Sequence, residues 1–371
     1  MELFIKKHFR IWWLQIGFTI IMSGFLSLLY VFFVKSHLNL GYIILAEALG
    51  SLASVFCILL RDKVSCQRDI RLGFLLVFVS LFLLLLPIAP LVLVIPYTIF
   101  KVTGVIMFFI PYNILFFKNS NSHKKLSRMT SYWSIGLLVG IIAPLLGGFI
   151  FSHFGLPFFM LAAVVLLCCT FILTSFVKKN VYLYGVKEIF THIRSFRIIV
   201  MIDGALTTAS NILLTLYLLT FVRGAFDFGL LLSFIALVSV SFSFLLAKIS
   251  DRYKKRLEFI WPLSTFSGFI MILFYFSHSF WSAVVLVILF KFVSTILNPI
   301  QSNIVFDRPK TTAITWISRE LFLNIGRVVF LLLLAFLAFF GFLKESFIVL
   351  GLLFIVFPFI VYKKGVYKKY K

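Results

Sequence analysis

Apolar residues in this chain gather in runs of about 17 to 27, the length that crosses a bilayer as an α-helix. The runs fall near 11–34, 40–60, 72–88, 91–117, 129–152 and 155–177, and again near 198–222, 227–248, 258–277, 280–305, 315–342 and 346–362. The PIAP stretch at 87–90 separates the third from the fourth. The pattern predicts an all-α polytopic membrane protein of 12 transmembrane helices.

Composition agrees. Of 371 residues 62% are apolar and 13% charged, and the mean hydropathy is +1.12, too little polar surface for a water-soluble domain. The formal charge of +23 invites a nucleic-acid reading, but no nucleic-acid-binding module is present and no such partner is expected. Topology explains the charge. With the N-terminus inside, alternate segments from MELFIKKHFR to KKGVYKKYK hold 28 of the 35 basic residues, and the opposite loops hold only Lys35, Arg223 and Lys344. Both termini are therefore expected in the cytoplasm, with the first span kept as a membrane helix of the cell membrane. Four basic residues remain within spans: Lys101, Lys291, Arg319 and Arg327. The four cysteines make no C-x-x-C spacing, and neither metal nor cofactor is expected.

The linker KKNVYLYGVKEIFTHIRSFR divides the chain into 1–177, 178–197 and 198–371, six spans on each side. The sides resemble each other most in spans four and ten. FKVTGVIMFFIPYNILF carries Lys101 and Asn113, and FKFVSTILNPIQSNIVF carries Lys291 and Asn303 at identical spacing. The loops after spans two and eight also correspond, with Asp62-Lys63 in LLRDKVSCQR and Asp251-Arg252 in LLAKISDRYKKR.

These loops resemble the signature G-x-x-x-D-R-x-G-R-R of the major facilitator superfamily, the second copy better than the first. The resemblance implies two pseudo-symmetric six-helix bundles. It makes Asp62, Lys63, Asp251 and Arg252 a cytoplasmic latch, in which an Asp at a helix end pairs with basic neighbours. Span five, GLLVGIIAPLLGGF, is similar to the G-x-x-x-G-P-x-x-G-G of facilitator exporters. It keeps Pro144, Gly147 and Gly148 but has Ala143 before the proline and Gly140 one place too near it, and it is read as a conformational hinge.

In the facilitator fold helices one, four, seven and ten line the cavity, which places Lys101 and Lys291 on opposite walls and makes Asn113 and Asn303, twelve residues further along, cavity residues as well. A lysine at mid-bilayer costs at least about 2.5 kcal/mol unless it meets a partner or a wet cavity. Lys101 lies roughly 15 Å from the outer end of its span at 1.5 Å per residue, beyond the reach of its own stem. The acidic candidates are Glu47, Asp203 and Glu320, each alone in its span. Asp203 is the first choice for carrying a proton and Glu47 the second, each with counter-ion as the rival role. Glu320, Asn324 and Arg327 share a helical face as a charge network, while Arg319 reads as interfacial.

No phosphate loop or catalytic array such as H-E-x-x-H is present, so the chain is not read as an enzyme. The expectation is a monomeric secondary transporter, most simply a proton-coupled exporter of a small amphipathic or anionic compound. Organic-anion uptake and a lipid or polysaccharide flippase of another fold are the rivals.

Overall fold

The computed structural model describes residues 12–117, 125–222, 224–250, 256–305 and 312–364; at 125–134, 242–250, 256–257 and 303 it describes the backbone alone. The predicted Asp251 and Arg252 lie outside the described residues, as does the side chain of Asn303.

The apolar runs fold as helices because a backbone in hydrocarbon must satisfy its own hydrogen bonds. In chain order these are α1 (Trp12–Lys35), α2 (Leu40–Leu59), α3 (Cys66–Leu83), α4 (Pro90–Phe117), α5 (Lys125–Leu173) and the short α6 (Val186–His192). They continue as α7 (Arg197–Leu219), α8 (Ala225–Ser250), α9 (Ile260–Phe276), α10 (Phe280–Asn303), α11 (Ala313–Phe339) and α12 (Glu345–Lys363). Among the described residues eight helices are long and apolar enough to cross a membrane, and the apolar stretches Ala225–Ser241 and Ile260–Phe276 are shorter. One of the eight, Ile135–Phe176, is bent back at Gly155, whose φ of 77° favours glycine. Pro157 follows, so two of the expected runs are joined here by a sharp turn rather than a loop.

Helices that precede the linker meet those that follow it along two seams, α2 with α11 and α5 with α8. The α5–α8 seam depends on small residues. A Cβ added to Gly148 would lie 2.6 Å from the Ala225 carbonyl oxygen, and one on Gly229 would lie 2.3 Å from that of Pro144. Gly147 faces the other way, where a Cβ would sit 1.9 Å from the Gly24 carbonyl oxygen of α1. Toward the linker end the seam loosens: a Cβ on Gly140 would be 3.5 Å from that of Ala236, and one on Gly136 would meet nothing within 4 Å. The Gly-Pro segment of α5 is thus a double contact surface, and the space it leaves near Gly136 opens into the interior.

The linker is more structured than a charged connection. β1 (Lys63–Ser65) and β2 (Val181–Leu183) form an antiparallel pair in the register Lys63↔Leu183, Val64↔Tyr182 and Ser65↔Val181. Cys66 N–H donates to Asn180 O at 2.8 Å and Tyr184 N–H to Asp62 O at 2.9 Å, extending the pair at both ends. The Tyr184 hydroxyl donates to Ile58 O at 3.0 Å. On the far side His192 Nε2 lies 2.9 Å from Thr315 Oγ1, so the linker straps the loop after α2 to the start of α11.

Candidate functional site

A cavity of about 350 Å³ lies between α1, α4, α5, α7, α10 and α11. From the helices before the linker come Gln15, Thr19, Val105, Ile106, Phe109, Asn113, Phe117 and Gly136, a wall of apolar groups and neutral polar ones. From those after it come Asp203, Thr207, Thr208, Asn211, Ser302, Trp316, Arg319, Glu320, Leu323 and Arg327, which supply all of its charge.

The charged wall follows from the sequence of α11. Trp316, Arg319, Glu320, Leu323 and Arg327 stand at i, i+3, i+4, i+7 and i+11, so one face carries them all. Two glycines bring α7 against it: a Cβ on Gly204 would lie 2.2 Å from Leu323 O, and one on Gly326 would lie 1.8 Å from Met201 O. Backbone contact this close places Asp203, the neighbour of Gly204, beside Arg319.

Arg319 is the centre of the group. Its Nη2 donates to Asp203 Oδ2 at 3.3 Å and to Ser302 Oγ at 3.3 Å, and its Nη1 to Glu320 Oε1 at 3.0 Å. All three charged side chains are buried. Each ion loses several kcal/mol of hydration on burial, which one guanidinium shared between two carboxylates offsets only in part. Asp203 Oδ1 has no hydrogen-bond partner among the described residues. Further along the stripe Asn324 Nδ2 donates to Glu320 O at 2.7 Å, and its Oδ1 accepts from Arg327 Nη1 at 3.1 Å. Among the described residues Arg327 makes no ion pair with a carboxylate, and its buried Nε has no partner.

The predicted residues distribute unevenly. Asn113 lines the cavity, as do Asp203, Glu320 and Arg327. Asn324 lies behind them, linking Arg327 to the Glu320 backbone. Lys101 and Lys291 are not among the lining residues, a correction to the expected lysine on each wall. Helix geometry gives the reason: at about 100° per residue, positions twelve apart are about 120° round from each other, so a helix that turns Asn113 inward turns Lys101 away. Lys101 instead forms a buried ion pair with Glu47 of α2. The Tyr30 hydroxyl donates to the same Glu47 oxygen at 2.6 Å, and the ammonium lies 5.1 Å and 5.5 Å from the ring centroids of Tyr30 and Tyr97. Lys291 donates to Asn211 Oδ1 at 2.6 Å.

In the loop after α2, Asp62 and Lys63 are exposed and act through their backbone in the strand pairing. The ion pair there belongs to neighbours, Arg61 Nη2 to Asp69 Oδ1 at 2.5 Å, and Asp69 Oδ2 accepts from Ser65 N–H at 2.9 Å.

Arg319 is the residue that the interfacial reading missed. A signal was present: Asp203 is six residues into α7, which starts at Arg197, and Arg319 six into α11, which starts at Ala313. Helices entering from one side put those two charges at one depth.

Comparison with known proteins gives a consistent picture. A sequence model described as Major Facilitator Superfamily matches residues 117–318. Among solved structures the chain is similar to a POT family transporter in complex with a thioalcohol-conjugated peptide, at TM-score 0.70 and 15% identity over 98% of this chain and 96% of that one. It is also similar to a mutant of the nucleoside transporter NupG, at TM-score 0.66 and 13% identity over 96% of this chain and 99% of that one. A POT family transporter in complex with 5-aminolevulinic acid aligns at TM-score 0.66 and 15% identity, over 98% and 96% of the two chains. No curated protein sequence matches the chain.

Proposed function

The chain belongs to the major facilitator superfamily, a family of transporters rather than enzymes, and from that premise we propose that it is a secondary active transporter. Two six-helix bundles, 1–177 and 198–371, rock about the cavity as rigid bodies, with the linker and both termini on the cytoplasmic side of the cell membrane. The observation that carries the reading is the cavity itself, walled from both sides of the linker and holding buried, incompletely satisfied charge.

The coupling ion in this reading is the proton. Asp203 is the carrier, because it lines the cavity beside Arg319, whereas Glu47 is closed off by Lys101 and Tyr30. The direction is export of a small amphipathic or anionic compound. Span five motivates this, since Pro144 and Gly148 pack against α8 and Gly147 against α1, where the halves would pivot. Uptake of an organic anion is the competing direction.

Counterflow in proteoliposomes against a panel of anionic, zwitterionic and cationic solutes, with an internal pH dye, tests the reading. Solute exchange accompanied by proton movement, with the proton movement lost in Asp203→Asn, is the expected result. Solute movement that ignores a proton gradient would remove Asp203 as carrier, and no exchange of any solute would end the transporter reading.

A further inference from the structure

We infer that the cavity selects a small zwitterion with an apolar body, held by its anionic group at Arg327 and by its ammonium at Asp203. The inference rests on the transporter reading above and narrows its substrate class.

The charges on the cavity wall set the argument. Arg319 lies between Asp203 and Glu320, so two carboxylates share one guanidinium and the trio keeps an excess negative charge. That excess has an open coordination point: Asp203 is 4% exposed, lines the cavity, and its Oδ1 lacks a hydrogen-bond partner among the described residues. Arg327 carries the balancing positive charge on the same wall, held by an amide oxygen, with its Nε buried and without a partner among the described residues. A buried acceptor and a buried donor without partners each carry a desolvation cost that a ligand can relieve. The lining charges sum to zero, from two carboxylates and two guanidinia. A lone anion would satisfy Arg327 and face the surplus of Asp203 and Glu320; a lone cation would do the reverse. A solute with both poles satisfies both at once and leaves the filled cavity neutral. Phe109, Phe117 and Trp316 give its body an apolar, aromatic surface. Lys101 contributes nothing to this balance, because Glu47 neutralises it away from the lining.

The test uses purified full-length protein and two skeletons, phenylalanine and para-aminoethylbenzoate. Each is supplied as the zwitterion, the N-acetyl anion and the amide cation, and binding is read by thermal stabilisation at fixed pH. At least one zwitterion should bind, and blocking either of its poles should weaken binding by about tenfold or more. In Asp203→Asn the N-acetyl penalty should shrink to within about threefold, and in Arg327→Gln the amide penalty should shrink likewise while the other penalty persists. That crossed pattern is not produced by misfolding, and Arg327→Lys should restore part of the amide penalty. Binding of an N-acetyl anion as tight as its zwitterion, or no zwitterion binding at roughly 10 mM, overturns the inference. Counterflow separates the two levels. Exchange of the anion but not the zwitterion leaves the transporter reading and removes this one, while zwitterion binding without exchange does the opposite.

Discussion

Lys101 and Lys291 stand at matched positions of α4 and α10, each twelve residues before an asparagine, and their surroundings differ completely. Lys101 is enclosed by Glu47, Tyr30 and Tyr97, and its charge is paired within that group. Lys291 meets the Asn211 amide and no carboxylate among the described residues. The same contrast holds one level up. Before the linker the buried charge is paired and set apart from the cavity, whereas after it the charge is shared, incompletely satisfied and on the cavity wall. Matched spacing fixes the position of a residue along its helix; the partner is set by the neighbouring helix, which offers Glu47 to Lys101 and Asn211 to Lys291. Pairing that closes a charge stabilises the fold, while pairing left incomplete keeps a charge available to a ligand.

The largest expected effect comes from breaking the shared group. Arg319→Gln leaves two buried carboxylates without their cation, and about 3 to 5 kcal/mol of stability should be lost along with transport. Thermal unfolding in detergent beside proteoliposome exchange checks both, and near-wild-type stability would mean that the carboxylates are neutralised in another way.

On the other side, Lys101→Gln alone should cost about 3 kcal/mol by leaving Glu47 unpaired. Lys101→Gln with Glu47→Gln should recover most of that stability and keep proton-coupled transport. Loss of the proton dependence in the double variant would instead move the carrier to Glu47 and reverse the comparison.

Lys291→Gln removes one hydrogen bond to an amide, and a change of about 1 kcal/mol or less is expected in the same unfolding measurement. A cost as large as that of Lys101→Gln would mean that the two lysines are equivalent after all.

The smallest effect concerns the strap. Burial, the largest influence, pushes the Tyr184 phenol up to about 12. Because the folded value lies above the unfolded one near 10, the neutral phenol stabilises the strap fully below about pH 10, and that contribution is lost as pH rises through about 12. Protection of the linker in hydrogen exchange should fall over that window in the wild type, with a shallower dependence in Tyr184→Phe.

Much of the fold is legible in the chain because hydrocarbon imposes a length and polarity rule on each helix separately. The run 91–117 became α4 (Pro90–Phe117) and 40–60 became α2 (Leu40–Leu59) nearly to the residue, and the bend at Gly155 fell on the first residue of the sixth run. Asp203, Glu320, Arg327 and Asn113 were recognisable as candidates because buried polar groups in a membrane are rare and costly. What the chain alone left open was which of them meet. Lys101 found Glu47 across α2, and Arg319 found Asp203 because Gly204 and Gly326 let α7 and α11 touch. Sequence determined the depth of each charge, through the rise of a helix. Only tertiary packing determined its direction and its partner, since a few tens of degrees of helix rotation decide whether a charged group closes on a neighbour or faces the cavity.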